Sequence, residues 1–354
     1  MKLTKIRNQM EFLNIDGLFV TNRENIRYLT NFTGSAGVVL ITKSNAIFLT
    51  DFRYSKQARE QIIGYEIEVC GQSNTLMQTV FNQIKRLRIS RLGFETNHIT
   101  HAEYSLLKEE IDVELVAVKK VVETLRTIKS KDEIDKIRTA ASIADSAFLH
   151  ILNFIRPGVT EVEVSNELEH YMRLKGASSN SSTIIVASGY RSALPHGVAS
   201  EKIIEKGDMV TLDYGALYQG YRSDMTRTVA VGEPDTKLKE IYQIVLAALL
   251  RCTSAIKQDM PAKEVDAIVR DYITKQGYGE YFGHGAGHGI GLNIHEDPFF
   301  SKSSDQIVKA GMVVTVEPGI YIPDLGGVRI EDDIVIGDQQ NEIITKSPRE
   351  LIII

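Results

Sequence analysis

The segment FGHGAGHGIGLNIHEDP, residues 282–298, concentrates three of the chain's eight histidines, His284, His288 and His295, on a run that also holds five glycines. Imidazole can ligate a metal, carry a proton or donate a hydrogen bond. Glycine lets the backbone come close to whatever the imidazoles serve. The spacing is not that of a zinc helix, because no Glu lies between His284 and His288 and helix-breaking glycines surround both. Structural Cys/His zinc is excluded as well: the chain has two cysteines, Cys70 and Cys252, far apart in sequence. A lone histidine needs no more than a hydrogen bond to backbone; three on one glycine-rich segment point to a site.

Carboxylates supply the second set. KGDMVTLDYG (206–215) resembles KAGMVVTVEPG (309–319), and GYRSD (220–224) resembles GVRIE (327–331). The matches pair Asp213 with Glu317 and Asp224 with Glu331. RPGVTEVEV (156–164) and DMPAKEVDA (259–267) precede them in the same order, each entering a helix. The period of about 105 residues is too long for a solenoid unit. It describes two related halves, each helix, helix, hairpin, packed about a pseudo-two-fold axis. Within the hairpins, the midpoint of Asp213 and Asp224 falls between Tyr218 and Gln219, and that of Glu317 and Glu331 falls on Asp324. Each acid pair is therefore expected nearly opposite across its own hairpin, facing one side. One such acid would be an ordinary solvated or salt-bridged residue beside Arg222 or Arg329. Four at matched positions, flanked by Val210, Leu212, Val314 and Val316, would repel unless divalent cations neutralised them.

The elements that must carry these residues follow from the rest of the chain. At 354 residues two domains are the default. Residues 1–125 alternate short apolar runs (17–21, 37–42, 46–51, 65–69, 91–95, 113–118) with helical spacing at 54–63, 74–87 and 101–111. That pattern is an α/β domain with a mixed sheet. No phosphate-cradling glycine loop occurs in it. Ser130 followed by Glu133 is a capping box, and it opens a helix expected to run to Phe154; Thr160 and Glu163 open the next. The boundary is placed so that residues 1–125 form one domain and 126–354 the other.

Composition is that of a globular protein, with 43% hydrophobic and 25% charged residues. A net charge of −5 without a basic run argues against a nucleic-acid partner. No apolar stretch reaches membrane-spanning length, and residues 1–17 form a charged amphipathic segment, not a signal peptide. Two unpaired thiols fit a reducing cytoplasm.

ALPHGVAS, TLDYG, GYRSDMTRT, FGHGAGHGIGLNIHEDP, VVTVEPGIYI and GGVRIEDDIVI together resemble the Xaa-Pro peptidase family of prolidase and aminopeptidase P, with the pita-bread fold. NIRYLTNFTGSAG (25–37) is the best N-terminal match. The resemblance implies an α/β (α+β) chain: a creatinase/prolidase-like N-terminal domain and a pita-bread metallopeptidase domain with an internal pseudo-two-fold repeat. It implies two divalent metals, Mn²⁺ ahead of Co²⁺ or Zn²⁺, held by Asp213, Asp224, His288, Glu317 and Glu331, with Asp224 and Glu331 bridging. It assigns His196 a place beside the reacting centre, His284 and His295 the lining of the substrate pocket as hydrogen-bond donors, Arg329 the orienting of ligands or substrate, and Glu317 the shuttling of protons. The implied reaction is hydrolysis of a peptide with proline at its second position by hydroxide generated on the metals, as an Xaa-Pro dipeptidase; the alternatives are aminopeptidase P acting on longer peptides and a creatinase-like or non-catalytic member of the fold. A cytoplasmic homodimer is expected, with residues 1–125 contributing to the dimer interface. Some prolidases carry, just after their HExP motif, an arginine that takes the substrate carboxylate. Here that position is Phe299.

Overall fold

The computed structural model describes residues 2–71 and 74–354. They divide into two compact units, Met1–Arg126 and Thr127–Ile354.

In the first unit, β1 (Gly17–Val20), β2 (Val38–Thr42), β3 (Ala46–Thr50), β4 (Glu66–Val69), β5 (Arg91–Glu95) and β6 (Glu114–Val118) form one sheet in the order β4-β3-β2-β1-β5-β6. The joins β1–β2 and β2–β3 are antiparallel; β3–β4, β1–β5 and β5–β6 are parallel. The sheet is thus mixed, as the spacing of apolar runs indicates. Helices Ser55–Gln61, Leu76–Arg86 and His101–Glu110 fall where helical periodicity places them. Thr75–Gln78 and Thr100–Glu103 close capping boxes on the latter two. The N-terminal helix covers Lys2–Phe12; Met1 lies outside the described residues. Helix Arg23–Thr30 escapes a periodicity reading because it has only eight residues. Its signals are local: Asn22 caps it by accepting the Asn25 N–H, and Asn31 ends it in the left-handed region.

The second unit repeats itself. Helices Lys131–Ile151 and Glu161–Leu174 precede the strand pair Met209–Tyr214 and Met225–Ala230; helices Thr236–Ala255 and Ala262–Lys275 precede Val313–Val316 and Asp332–Val335. Both expected capping boxes form, Ser130 with Glu133 and Thr160 with Glu163. The first helix stops at Ile151, short of Phe154, because Asn153 and Phe154 donate to His150 and Ile151, three residues back, and tighten the last turn. One apolar core joins the first helix pair to its strands through Phe148, Leu168, Leu212 and Val229; another joins the second pair to its own through Leu249, Val269, Val316 and Ile334. Each hairpin therefore lies with one face on its own helices.

The two hairpins differ in register. Asp213 pairs with Thr226, and the same register runs on through Leu217 with Arg222 and Tyr218 with Tyr221. Gln219 and Gly220 make the turn with φ of 47° and 88°, the two positive values a two-residue hairpin turn of this twist requires. The turn sits one residue later than the acid midpoint suggests. Asp213 and Asp224 are consequently diagonal neighbours, not direct partners, although the two-residue offset keeps them on one face. In the second hairpin Val316 pairs with Asp332 and Gly319 with Arg329. That register sets Glu317 against Glu331 and centres the turn on Asp324, whose φ is 63°.

Candidate metal centre

At Asp224, Glu317 and Glu331, though not at Asp213, the hairpins open and the backbone bonds elsewhere. Glu331 donates its N–H to Thr226 O at 3.0 Å, across to the first hairpin, and Glu317 donates to Ala286 O at 2.9 Å, on the histidine segment. Asp224 donates to Asp333 Oδ2 at 2.9 Å, across to the second hairpin. The breaks in the ladders are thus the seams through which the two halves and the glycine run are joined.

The glycine run is needed for that joining. Strand Gly287–Gly289 is sandwiched between Glu296–Phe300 and Val313–Val316. Gly287 has φ of 154°, and a Cβ there would overlap the Thr315 carbonyl. Only glycine allows His288 to be carried this close to the acids.

The donor atoms of Asp224, His288 and Glu331, all buried, lie within 4.8 Å of one another. His288 Nε2 is 3.8 Å from Asp224 Oδ2 and 3.6 Å from Glu317 Oε1. Its Nδ1 lies 3.1 Å from Gly289 O, which can only accept, so Nδ1 carries the proton and Nε2 turns a lone pair to the acids. Burial, then the neighbouring His295, pulls the His288 pKa down to about 3, so the ring is neutral. The carboxylates move the other way. Burial and the neighbouring acids hold Asp224 and Glu317 well above the usual range, and burial followed by Asp213 pushes Glu331 up to about 8. Asp224 Oδ1 is buried and has no hydrogen-bond partner among the described residues. Buried carboxylates crowded together, an orphaned carboxylate oxygen and a neutral imidazole with its lone pair inward form a donor set that fits divalent metal.

Arg329 lies beside this set. Nη2 donates to Asp213 Oδ2 at 2.6 Å, Nη1 to Tyr321 OH at 2.8 Å and Nε to Thr226 Oγ1 at 3.2 Å. Tyr321 OH is 2.8 Å from His284 Nε2, and His284 Nδ1 is 2.8 Å from Gly285 O. The only consistent proton order runs from Arg329 to Tyr321 to His284 to Gly285 O. Both nitrogens of His284 are therefore taken, and the donor role toward substrate expected of it has no free N–H. Burial lowers the His284 pKa to about 4, in keeping with a neutral ring. Tyr321 carries no signal in the motifs beyond its place in GIYI; Arg227 is another residue that the sequence does not single out. It is fully buried, pairs with Asp332 at 2.8 Å and donates to the carbonyls of Thr226 and Glu331. Its buried salt bridge clasps the two hairpins at the acids.

All five candidate ligands, with His196, His284, His295 and Arg329, line one cavity of 810 Å³. His196 and His295 are exposed; partial desolvation of its ring against the cavity wall, then the neighbouring His196, still lowers the pKa of His295. His295 packs edge-on against His288 with ring centroids 4.4 Å apart. Ile185, Pro195, Val198, Ile294 and Phe299 add apolar lining, and Phe299 is 43% exposed. The volume suits a short peptide. Among the described residues no helix is long and apolar enough to cross a membrane.

Residues 135–338 match the model of metallopeptidase family M24, and residues 2–128 that of the creatinase/prolidase N-terminal domain. The chain is 58% identical to a solved structure described as Xaa-Pro dipeptidase from Bacillus anthracis, with a TM-score of 0.98 over 100% of this chain and 99% of that one. The prolidase from Pyrococcus horikoshii is 40% identical, with a TM-score of 0.94 over 99% of each chain. An X-Pro aminopeptidase from Thermotoga maritima is 36% identical, with a TM-score of 0.91 over 98% of this chain and 100% of that one.

Proposed function

The chain belongs to metallopeptidase family M24, and we propose that it is an Xaa-Pro dipeptidase, which hydrolyses the peptide bond before proline. The observation that carries this reading is the convergence of Asp224, His288 and Glu331, with Glu317 and Asp213 beside them, in the wall of a peptide-sized cavity. Relatives named for Xaa-Pro dipeptidase activity span the whole chain. In this reading Asp213, Asp224, His288, Glu317 and Glu331 hold two divalent ions, Mn²⁺ by preference for four carboxylates and one imidazole. Bound metal would supply Lewis acidity and a nucleophilic water at neutral pH.

The chain's own residues do the rest. Glu317, on the cavity wall beside His288, takes a proton from the attacking water and delivers it to the proline nitrogen, which must be protonated to leave as a secondary amine. His196 and His295, exposed in the cavity, donate to the substrate's oxygens. Arg329 holds Asp213 in place, and His284 and Tyr321 hold Arg329. The apolar lining receives the proline ring. Residues 1–125 are the accessory domain and 126–354 the catalytic one, in a cytoplasmic homodimer.

A second reading, aminopeptidase action on longer peptides, is favoured by one feature. Arg329 is the one Arg or Lys among the described residues lining the cavity, and its Nε, Nη1 and Nη2 are all engaged. Phe299 follows HEDP at the position where some prolidases carry an arginine for the substrate carboxylate. The deciding experiment chelates the protein, restores Mn²⁺ and follows alanine release from Ala-Pro and Ala-Pro-Ala. Cleavage of Ala-Pro supports the dipeptidase; cleavage of Ala-Pro-Ala alone supports the second reading; cleavage of neither by metal-loaded protein refutes both.

A further inference from the structure

The repeat extends two residues past Asp224 and Glu331. Thr226 follows Asp224 by two and Asp333 follows Glu331 by two, so they occupy matched positions in the two halves. Each reaches into the other half. Thr226 Oγ1 donates to Glu331 Oε2 at 2.7 Å, and Thr226 O accepts the Glu331 N–H at 3.0 Å. Asp333 Oδ2 accepts the Asp224 N–H at 2.9 Å. Both side chains are fully buried.

We propose that Thr226 and Asp333 are a reciprocal pair of positioning residues, each fixing an acid of the opposite half, Glu331 and Asp224 respectively, that would hold metal. The inference rests on the metallopeptidase reading above. Three observations support it beyond the contacts themselves.

Thr226 is doubly engaged. Its hydroxyl accepts from Arg329 Nε at 3.2 Å, so its one proton is directed at Glu331. That bond fixes the rotation of the Glu331 carboxylate, whose remaining lone pairs stay available to a metal. Valine, of the same shape, could do neither.

Asp333 fixes backbone where no strand does. Asp224 follows the short strand Tyr221–Arg222 and precedes Met225–Ala230, so its own N–H lies outside the named strands and has no ladder partner. The carboxylate of Asp333 supplies that partner. Asp333 is itself held, since its N–H bonds Thr345 Oγ1 at 3.2 Å and its carbonyl accepts from Ile344 at 2.9 Å. Its Oδ1 is buried with no hydrogen-bond partner among the described residues. A buried acid with half its acceptor capacity unused is costly to the fold, which is hard to account for by packing alone.

The exchange also explains why the halves must be joined at this seam. If each half held its own acid, a small shift between hairpins would change the acid separation. Crossed anchoring ties Asp224 to the second hairpin and Glu331 to the first, so the two acids move together. Partners that orient ligands in this way typically change metal affinity by ~10–100-fold when removed.

The test uses the full chain, with Mn²⁺ binding to chelated protein measured by titration calorimetry and thermal unfolding of the metal-free protein measured alongside. Thr226→Val and Asp333→Ala are expected to weaken Mn²⁺ binding by ~10–100-fold, while Thr226→Ser and Asp333→Asn, which keep the hydroxyl and the acceptor, stay near the parent. A lowered unfolding temperature with parent-like Mn²⁺ affinity would reduce both residues to a structural role and overturn the inference. If Thr226→Val proves unfolded, the Asp333→Ala and Asp333→Asn comparison decides by the same criterion. Failure of the parent itself to bind Mn²⁺ would overturn the metallopeptidase reading and this inference with it; parent-like binding by the variants overturns this inference alone.

Discussion

Asp213 and Arg329 come from opposite halves of the repeat and meet at 2.6 Å through Oδ2 and Nη2, the arginine side chain 4% and the aspartate 17% exposed. The pair fixes an acid of the first hairpin with a cation of the second, next to the cavity wall that both line. Arg329→Leu would leave Asp213 uncompensated beside Glu331. Removing one partner of a buried ion pair costs about 3–5 kcal/mol. Arg329→Leu should therefore lower the unfolding temperature of the metal-free protein and abolish most activity. Arg329→Lys should recover little, because one ammonium cannot serve Asp213, Tyr321 and Thr226 at once. Unfolding scans and kcat/KM measured together check this.

Tyr321 OH joins Arg329 to His284. Tyr321→Phe removes one oxygen and leaves two buried groups without their partner, at a cost of roughly 1–3 kcal/mol. Activity should fall by about tenfold or more, while the Mn²⁺ stoichiometry stays at the parent value, since Tyr321 is not among the five ligands. Loss of metal in this variant would contradict the relay.

His288→Ala deletes the one imidazole in the donor cluster. The expected loss of activity exceeds the ~10–100-fold caused by removing partners outside the ligand set, and bound metal measured by elemental analysis should fall with it. His295→Ala, on the exposed side of the cavity, should raise KM or lower kcat with metal content unchanged. Equal metal loss in both variants would contradict the division of roles between the two histidines.

Burial, with Asp213 beside it, raises the Glu331 pKa from an ordinary 4.5 to about 8. A raised carboxyl favours the fold fully below its unfolded value and loses that contribution as pH rises through the folded value. In metal-free protein, Glu331 should thus lower stability between about pH 5 and about pH 8. The unfolding temperature of Glu331→Gln should gain on the parent across that interval. Comparing the two proteins cancels the histidines, whose depressed values act in the opposite direction. Mn²⁺ should stabilise the parent more at the upper end than at the lower. A difference between variant and parent that does not change with pH would contradict this.

Arg227 forms a fully buried pair with Asp332 while donating to the carbonyls of Thr226 and Glu331. Arg227→Met keeps the length and removes every donor, stranding Asp332 with only Arg349 and Thr345. Because Arg349 still neutralises Asp332, the loss comes from the buried carbonyls left without this donor, at roughly 1–3 kcal/mol each, and is read as a lower denaturant midpoint.

Much of this protein is decided locally, and so can be read from the chain. Strand Arg91–Glu95, the capping boxes at Ser130 and Thr160, and the turn centred on Asp324 depend on side chains within a few residues of one another. The matched acids are legible because a duplicated sequence exposes equivalent positions without any coordinates. The short helix Arg23–Thr30 and the Gln219-Gly220 turn lie at the limit of that reading, since one residue of register moves a turn but leaves the hydrophobic alternation unchanged. What only the tertiary structure decided is which groups from opposite halves share one buried volume. No spacing along the chain announces that Thr226 donates to Glu331, that Arg227 clasps two hairpins, or that Tyr321 takes the second nitrogen of His284. Those contacts join residues up to 105 positions apart. They exist because two helix-backed hairpins each bury one face in their own core and meet at the seam where both ladders open.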